Sequence, residues 1–221
     1  MGSHSVSKSD WEQVQAAESE SWGRGAWPCV KGKLNRETNN QRGLVRELGF
    51  DVYAATIPTD RDVYLLDIGA GPCSVLETIT LPPNVQPVAT DPLANEYHKF
   101  GLYEMEKYRT TYFTFPAETL HMVPRDFPYF DAVISTNALD HAQDPRKVCQ
   151  EIKRVLRDGG LLFVQFCINN ADENPHEAHK INLDDIVVRG WLEPEMTLVR
   201  KKFSEYSWSF QPSIAMVFKK S

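Results

Sequence analysis

Short, nearly continuous apolar runs punctuate the chain at spacings that suit a sheet covered on both faces. Val63-Tyr64-Leu65-Leu66-Asp67-Ile68 is one, and similar runs recur at Val85 to Thr90, Phe130 to Ser135 and Leu161 to Cys167. A strand with water on one side alternates polar and apolar positions; a strand sandwiched between helical layers does not need to. A further strand is expected at Thr111 to Phe115. The intervening stretches are helical: Val75 to Ile79, Leu93 to Lys107, and Pro145 to Leu156, which carries Val148, Ile152, Val155 and Leu156 on one face. Asp144-Pro145 reads as an N-cap followed by proline at the first helical position, and Asp158-Gly159-Gly160 as the close of the same helix. Strands alternating with helices predict right-handed crossovers and a mostly parallel sheet.

Both ends of the chain depart from this pattern. Ser9-Asp10-Trp11-Glu12 has the spacing of a capping box and opens a short amphipathic helix with Trp11, Val14 and Trp22 on one stripe. The polar segment Met1 to Ser9 is assigned to no element. A second helix is expected over Thr38 to Leu48, stopped by Gly49. Residues 1–50 are therefore expected to form a helical cap and residues 60–221 an α/β core within one domain. Toward the other end, a helix over Leu183 to Arg189 precedes a strand at Leu198 to Phe203 and another in which Ile214, Met216 and Phe218 share a face. Two successive strands predict an antiparallel edge.

Composition narrows the function classes. A chain of 221 residues with 42% hydrophobic positions supports one full core rather than two. Its 24 basic and 30 acidic side chains, net charge −6, create no general attraction for polyanions, so nucleic acid is not an expected partner. Cys29, Cys73, Cys149 and Cys167 show no C-x-x-C spacing and are read as small buried hydrophobes in a reducing, cytoplasmic compartment. No run reaches the roughly 18 apolar residues of a membrane span.

Candidate chemistry gathers at strand ends. Asp67-Ile68-Gly69-Ala70-Gly71-Pro72-Cys73 sets an acid and two glycines at the end of the first buried strand, where a backbone must turn tightly and admit a ligand without a Cβ in the way. A dinucleotide fingerprint would need a third glycine where Ser74 stands, which tilts against NAD. In Ala89-Thr90-Asp91-Pro92 a second acid ends the next strand, and a carboxylate there suits a ribose diol or, more blandly, a helix cap. Pro116-Ala117-Glu118-Thr119 follows the third strand, and Asn137-Ala138-Leu139-Asp140-His141-Ala142-Gln143-Asp144-Pro145 the fourth. All four segments belong to the carboxyl edge of the sheet, where open α/β folds bind ligands.

On these motifs, together with Arg154-Val155-Leu156-Arg157-Asp158-Gly159-Gly160, residues 65–166 resemble the class I S-adenosylmethionine-dependent methyltransferases of the small-molecule group that includes the quinone-biosynthesis enzymes. The resemblance implies a Rossmann-like fold: a mostly parallel seven-stranded sheet with helices on both faces, an antiparallel C-terminal edge and a helical N-terminal cap. It implies S-adenosylmethionine as cofactor and S-adenosylhomocysteine as product. By position, Gly69, Ala70 and Gly71 would lie against the methionine part, with Asp67 holding the loop or meeting the amino group. Asp91 would take the ribose hydroxyls, Pro92 and Leu93 would flank the adenine, Ala117 and Glu118 would reach its edge, and Asn137 would sit beside the methionine. Pro72-Cys73 departs from the relatives that place a third glycine here, which stiffens the second turn of the loop.

Methyl transfer needs alignment more than catalytic groups. For a hydroxyl acceptor a base helps, and His141 is the candidate, against the plainer reading that it packs beside the cofactor or caps a helix. The expected activity is methyl transfer to an oxygen or nitrogen of a small molecule, with a catalytically silent cofactor sensor or partner subunit as the alternative. Asp140, Asn169, Asn170 and Asp172 would suit magnesium in a catechol-type enzyme, but Asp140 fits the metal-free pattern better, and no metal is expected. Trp11, Trp22, Trp27 and the Trp191 to Trp208 region offer aromatic surface for an acceptor pocket, or simply core.

Overall fold

A computed structural model describes residues 5–23, 46, 48–100, 109–124, 129–173, 180–204 and 212–221. Its centre is a seven-stranded sheet, built from β1 (Val63–Ile68), β2 (Val85–Thr90), β3 (Thr111–Phe113), β4 (Phe130–Thr136), β5 (Leu156–Cys167), β6 (Met196–Ser204) and β7 (Ser213–Lys220). The spatial order is β3-β2-β1-β4-β5-β7-β6. The first five strands are parallel, and β7 runs antiparallel between β5 and the edge strand β6. This is the expected fold, antiparallel edge included.

Two apolar layers explain why the central strands read as unbroken runs. Leu66, Ile68, Val133 and Val164 enter one layer, shared with Val148, Cys149 and Ile152 of α4 (Pro145–Val155) and Val188 and Leu192 of α5 (Asp185–Leu192). Leu65, Ile134 and Phe163 enter the other, beneath α2 (Phe50–Ala54). There the Phe50 ring meets Phe163 edge to face at 5.0 Å. On β7, Ile214, Met216 and Phe218 share the first layer as expected, while Ala215 and Val217 fill the second.

The helix after β4 starts as the sequence indicates: Asp144 Oδ1 accepts the Lys147 amide at 3.0 Å and Pro145 takes the first turn. Its end does not. The helix stops at Val155, and Asp158-Gly159-Gly160 lies within β5 instead of closing the helix. The register passes from Phe130 opposite Leu156 to Ala132 opposite Leu161, so the intervening residues of β5 bulge. Gly159 at φ 73° makes that excursion, and a Cβ on Gly160 would come within 2.8 Å of the Arg157 carbonyl oxygen. Two glycines were demanded by a bulge, which looks the same in sequence as a helix stop.

Smaller differences have similar causes. The segment after β1 is a 3-10 turn, Val75–Thr78, and the expected helix from Leu93 is described as α3 (Ala94–Lys99), its remainder lying outside the described residues. The third strand ends at Phe113. The N-terminal helix, α1 (Lys8–Gly23), is capped two residues earlier than expected, because Ser7 Oγ accepts the Asp10 amide at 3.1 Å and donates to Asp10 Oδ2 at 2.7 Å. The preceding segment also has a structural role: Val6 donates its amide to the Gln143 carbonyl at 3.0 Å and packs on the core. Gly49 does turn the chain, at φ 75°, but residues 38–45 of the helix expected before it lie outside the described residues. Cys73, Cys149 and Cys167 are buried thiols outside any disulfide, with burial pushing Cys149 up to about 12. Cys29, Trp22 as a side chain, and Trp27 lie outside what is described. Among the described residues no helix is long and apolar enough to cross a membrane.

Candidate functional site

The loop after β1 is held in place by its neighbours rather than by its own residues. Gly69 and Ala70 both donate amides to the Thr90 carbonyl, at 2.8 and 3.1 Å, tying the loop to the end of β2. Gly69 and Gly71 sit at φ 64° and 61°, a left-handed conformation that a side chain would strain. Their surroundings differ. A Cβ on Gly69 would collide with the Ala138 side chain from the loop after β4, whereas a Cβ on Gly71 would meet nothing within 4 Å. The loop is therefore packed from one side and open at Gly71, where a ligand can approach the backbone.

Asp67 is 1% exposed, at the end of β1. Its Oδ2 accepts the Ser74 hydroxyl at 2.6 Å and the Val75 amide at 2.9 Å, fastening the far side of the loop. Its Oδ1 is buried with no hydrogen-bond partner. Burial pushes this carboxyl up to about 7, with Asp91 adding to the rise and the Ser74 and Val75 bonds opposing it. A buried acceptor left unsatisfied is costly, and a donor supplied from outside relieves that cost.

Asp91 follows β2 and is 6% exposed. Oδ1 accepts the Leu93 amide at 2.8 Å and Oδ2 the Gly71 amide at 2.9 Å, so the carboxylate caps the turn before α3 and also anchors the glycine loop. Burial pushes it up to about 6; those two amides oppose the shift, and the negative charge of Glu18 on α1 adds to it. Each oxygen keeps a second lone pair for a further donor. Pro92 is partly exposed beside it, and Leu93 packs with Ala94, Tyr97, Phe100 and Tyr112.

The third and fourth strand ends complete the edge. Ala117 opens a 3-10 turn, Ala117–Met122, and the buried Glu118 accepts the Asp144 amide on Oε1 at 2.9 Å, linking this turn to the start of α4. Asn137 has φ 51°, rare for a residue with a side chain, and its amide is shared by the Gln165 carbonyl at 2.9 Å and Gln165 Oε1 at 3.1 Å. Such strain persists only where surroundings over-determine it, commonly at ligand sites. His141 ends the turn Leu139–His141 with its side chain 19% exposed, and its Nε2 stands 3.9 Å from Oδ2 of the buried Asp140.

Asp91 thus binds Gly71 and Leu93, Gly69 and Ala70 share the Thr90 carbonyl, Asp67 holds the far side of the loop through Ser74 and Val75, and Ala138 brings the loop of Asn137 and His141 against Gly69. Glu118 is linked to that loop's far end. Ser74 and Tyr112 were missed as organisers: Tyr112 Oη accepts the Ser74 amide at 2.8 Å. Ser74 was visible only as an absent glycine, and nothing in the pattern singled out Tyr112. Glu18 was missed because a helical stripe does not tell which surface it covers.

Residues 66–164 match the family described as "Methyltransferase domain". A thiol S-methyltransferase of Rattus norvegicus is 34% identical over 107 residues, 48% of this chain and 43% of that protein. A tRNA U34 carboxymethyltransferase of Psychrobacter arcticus is 29% identical over 127 residues, 48% of this chain and 35% of that one. The chain spans about half or less of the length of the curated relatives it matches. Among solved structures, the N-methyltransferase NodS of Bradyrhizobium japonicum in complex with S-adenosyl-L-homocysteine superposes with a TM-score of 0.64 at 13% identity, over 94% of this chain and 98% of that one. Residues 66–164 thus resemble a methyltransferase domain, and the sheet in which they are set has the fold of the solved methyltransferase on which it superposes.

Proposed function

We propose that this chain binds S-adenosylmethionine at the carboxyl edge of the sheet and catalyses transfer of its methyl group to an oxygen or nitrogen of a small molecule. The observation that carries the cofactor is the pairing of an open backbone at Gly71 with the unsatisfied buried oxygen of Asp67, a fit for the ammonium of an amino-acid moiety. Asp91 would accept from the ribose diol on its remaining lone pairs. Pro92 and Leu93 would flank the adenine, Ala117 and Glu118 would border its edge, and Asn137 would lie beside the methionine with Gly69, Ala70 and Gly71.

The cofactor supplies a methyl group already activated on a sulfonium, for in-line displacement. The chain's work is then to fix the line of attack and to receive the acceptor's proton where there is one. His141 would receive it, from the loop that packs against Gly69, with Asp140 stabilising the positive charge that develops on the ring. A small acceptor is supported by the net charge of −6, which gives polyanions no general attraction. The thiol S-methyltransferase relatives favour a second reading, a thiol acceptor, for which the same base would serve. Three buried thiols outside any disulfide suit a reducing compartment such as the cytoplasm.

Calorimetry on the purified chain is expected to show binding of both S-adenosylmethionine and S-adenosylhomocysteine, with thermal stabilisation by each. No heat at millimolar ligand, with NADH binding instead, would reverse the cofactor assignment. Labelled methyl transfer into fractionated small metabolites, proteins and RNA then tests the acceptor class, and label confined to RNA or protein would overturn the small-molecule reading. Asp91→Ala is expected to weaken cofactor binding at least about tenfold, since hydrogen bonds to charged groups contribute roughly 1.5 to 3 kcal/mol. Parent-like affinity would leave Asp91 as the anchor of the glycine loop alone.

A further inference from the structure

Helix α1 crosses the cofactor edge of the sheet. Before it begins, Val6 is bonded to the Gln143 carbonyl in the loop after β4. Farther along, α1 packs on α3, and Glu18 comes close enough to Asp91, after β2, for its charge to act on that carboxyl. In the sheet order, β1 lies between β4 and β2. A helix running from the β4 end to the β2 end therefore passes over the end of β1, the glycine loop. Sixteen residues are ample: at about 1.5 Å per residue the helix exceeds the roughly 10 Å between strands two apart.

The face turned inward carries shielded polar atoms where a roof over core would carry none. Trp11, Gln15 and Glu18 recur at i, i+4 and i+7, one stripe of a helix, with the buried Val14 beside them. On that stripe the indole Nε1 of Trp11 and the Oε1 of Gln15 are both shielded from solvent and have no hydrogen-bond partner. At the end of β1, which the helix passes over, Asp67 likewise keeps a buried Oδ1 with no hydrogen-bond partner. The three atoms are one donor and two acceptors. A zwitterionic amino acid end presents the complementary set, a carboxylate to accept and an ammonium to donate.

We infer that Trp11 and Gln15 bind the amino-acid end of the cofactor from above, the indole N–H donating to its carboxylate and the Gln15 carbonyl accepting from its ammonium together with Asp67. The inference rests on the cofactor assignment and adds a second wall to the site: the N-terminal helix is part of the binding machinery, and the nucleoside end is recognised by the core alone. Burial makes both contacts specific, because neither atom has water to fall back on.

Two ligands separate these halves. S-adenosylhomocysteine carries the amino-acid end; 5′-methylthioadenosine keeps the nucleoside and thioether and lacks it. Titrated against the full chain, Trp11→Phe and Gln15→Leu are each expected to bind S-adenosylhomocysteine about tenfold more weakly or worse, with 5′-methylthioadenosine within about twofold of the parent. Retained nucleoside binding also shows that each variant is folded. Unchanged S-adenosylhomocysteine affinity in both variants would overturn the inference, as would parallel loss of both ligands, which would make α1 a structural cover. A parent that binds neither ligand would instead sink the cofactor assignment on which the inference stands.

Discussion

Replacing His141 by glutamine is expected to cut turnover on a hydroxyl or thiol acceptor by roughly 100- to 10,000-fold while leaving S-adenosylhomocysteine affinity within about twofold of the parent. The magnitude is what a positioned base typically supplies, and it exceeds what one lost packing contact at a partly exposed ring should cost. The position motivates the expectation. His141 ends the turn after β4, one residue from the buried Asp140 and three from Ala138, whose side chain packs on Gly69. Its ring thus belongs to the loop that closes one side of the glycine turn, with 19% of the side chain exposed and Nε2 shielded from solvent. Glutamine keeps a hydrogen-bonding side chain of similar reach but cannot take the proton. Single-turnover rates with saturating cofactor, set beside calorimetric affinity, separate the roles. Joint loss of affinity and rate, or nearly full rate, would make the histidine structural and favour an acceptor that is already nucleophilic, such as an amine.

The sequence displayed the sheet better than it displayed the site, and for a physical reason. Strands buried on both faces must be apolar along their whole length, so β1 and β2 could be bounded to the residue from Val63–Ile68 and Val85–Thr90. Glycines are ambiguous in a way apolar runs are not. Gly69 and Gly71 were readable because an acid and a buried strand preceded them, but Gly159 and Gly160, a few residues past a good helix, served a bulge in β5. Within the candidate site, the strand-end positions of Asp67, Asp91 and Asn137 were legible. Their local duties were not, since those depend on what folds against them: Asp91 holds the Gly71 amide across two strand ends, and Asp67 holds Ser74. The packing of α1 on α3, with Glu18 acting on Asp91, is the furthest from sequence, because periodicity gives a helix its inner face but never the surface that face meets.

Cofactor affinity is expected to rise with pH through the range around 7 and to level off above about pH 8, by roughly 30-fold between pH 5.5 and pH 8. The cause is Asp67, which burial pushes up to about 7 in the unliganded protein. Its unpartnered oxygen can meet an ammonium favourably only when the carboxyl is ionised, so binding below pH 7 must first expel a proton, at about tenfold in affinity per pH unit. Asp91, pushed up to about 6, steepens the loss further at the acid end. The sign is opposite for the stability of the empty protein. Both carboxyls hold protons to higher pH when folded than when unfolded, so from about pH 4 to 7 these two groups make the folded state less stable as pH rises. Ligand stabilisation should therefore grow over the very interval in which these groups weaken the empty fold. Calorimetry in buffers of different ionisation enthalpy measures the released proton directly. Asp67→Asn, which cannot ionise, is expected to bind at least about tenfold more weakly at pH 8 and to lose most of the pH dependence. A flat affinity profile in the parent with no proton release would show that the ammonium does not meet Asp67, whose role would then be confined to holding Ser74 and Val75.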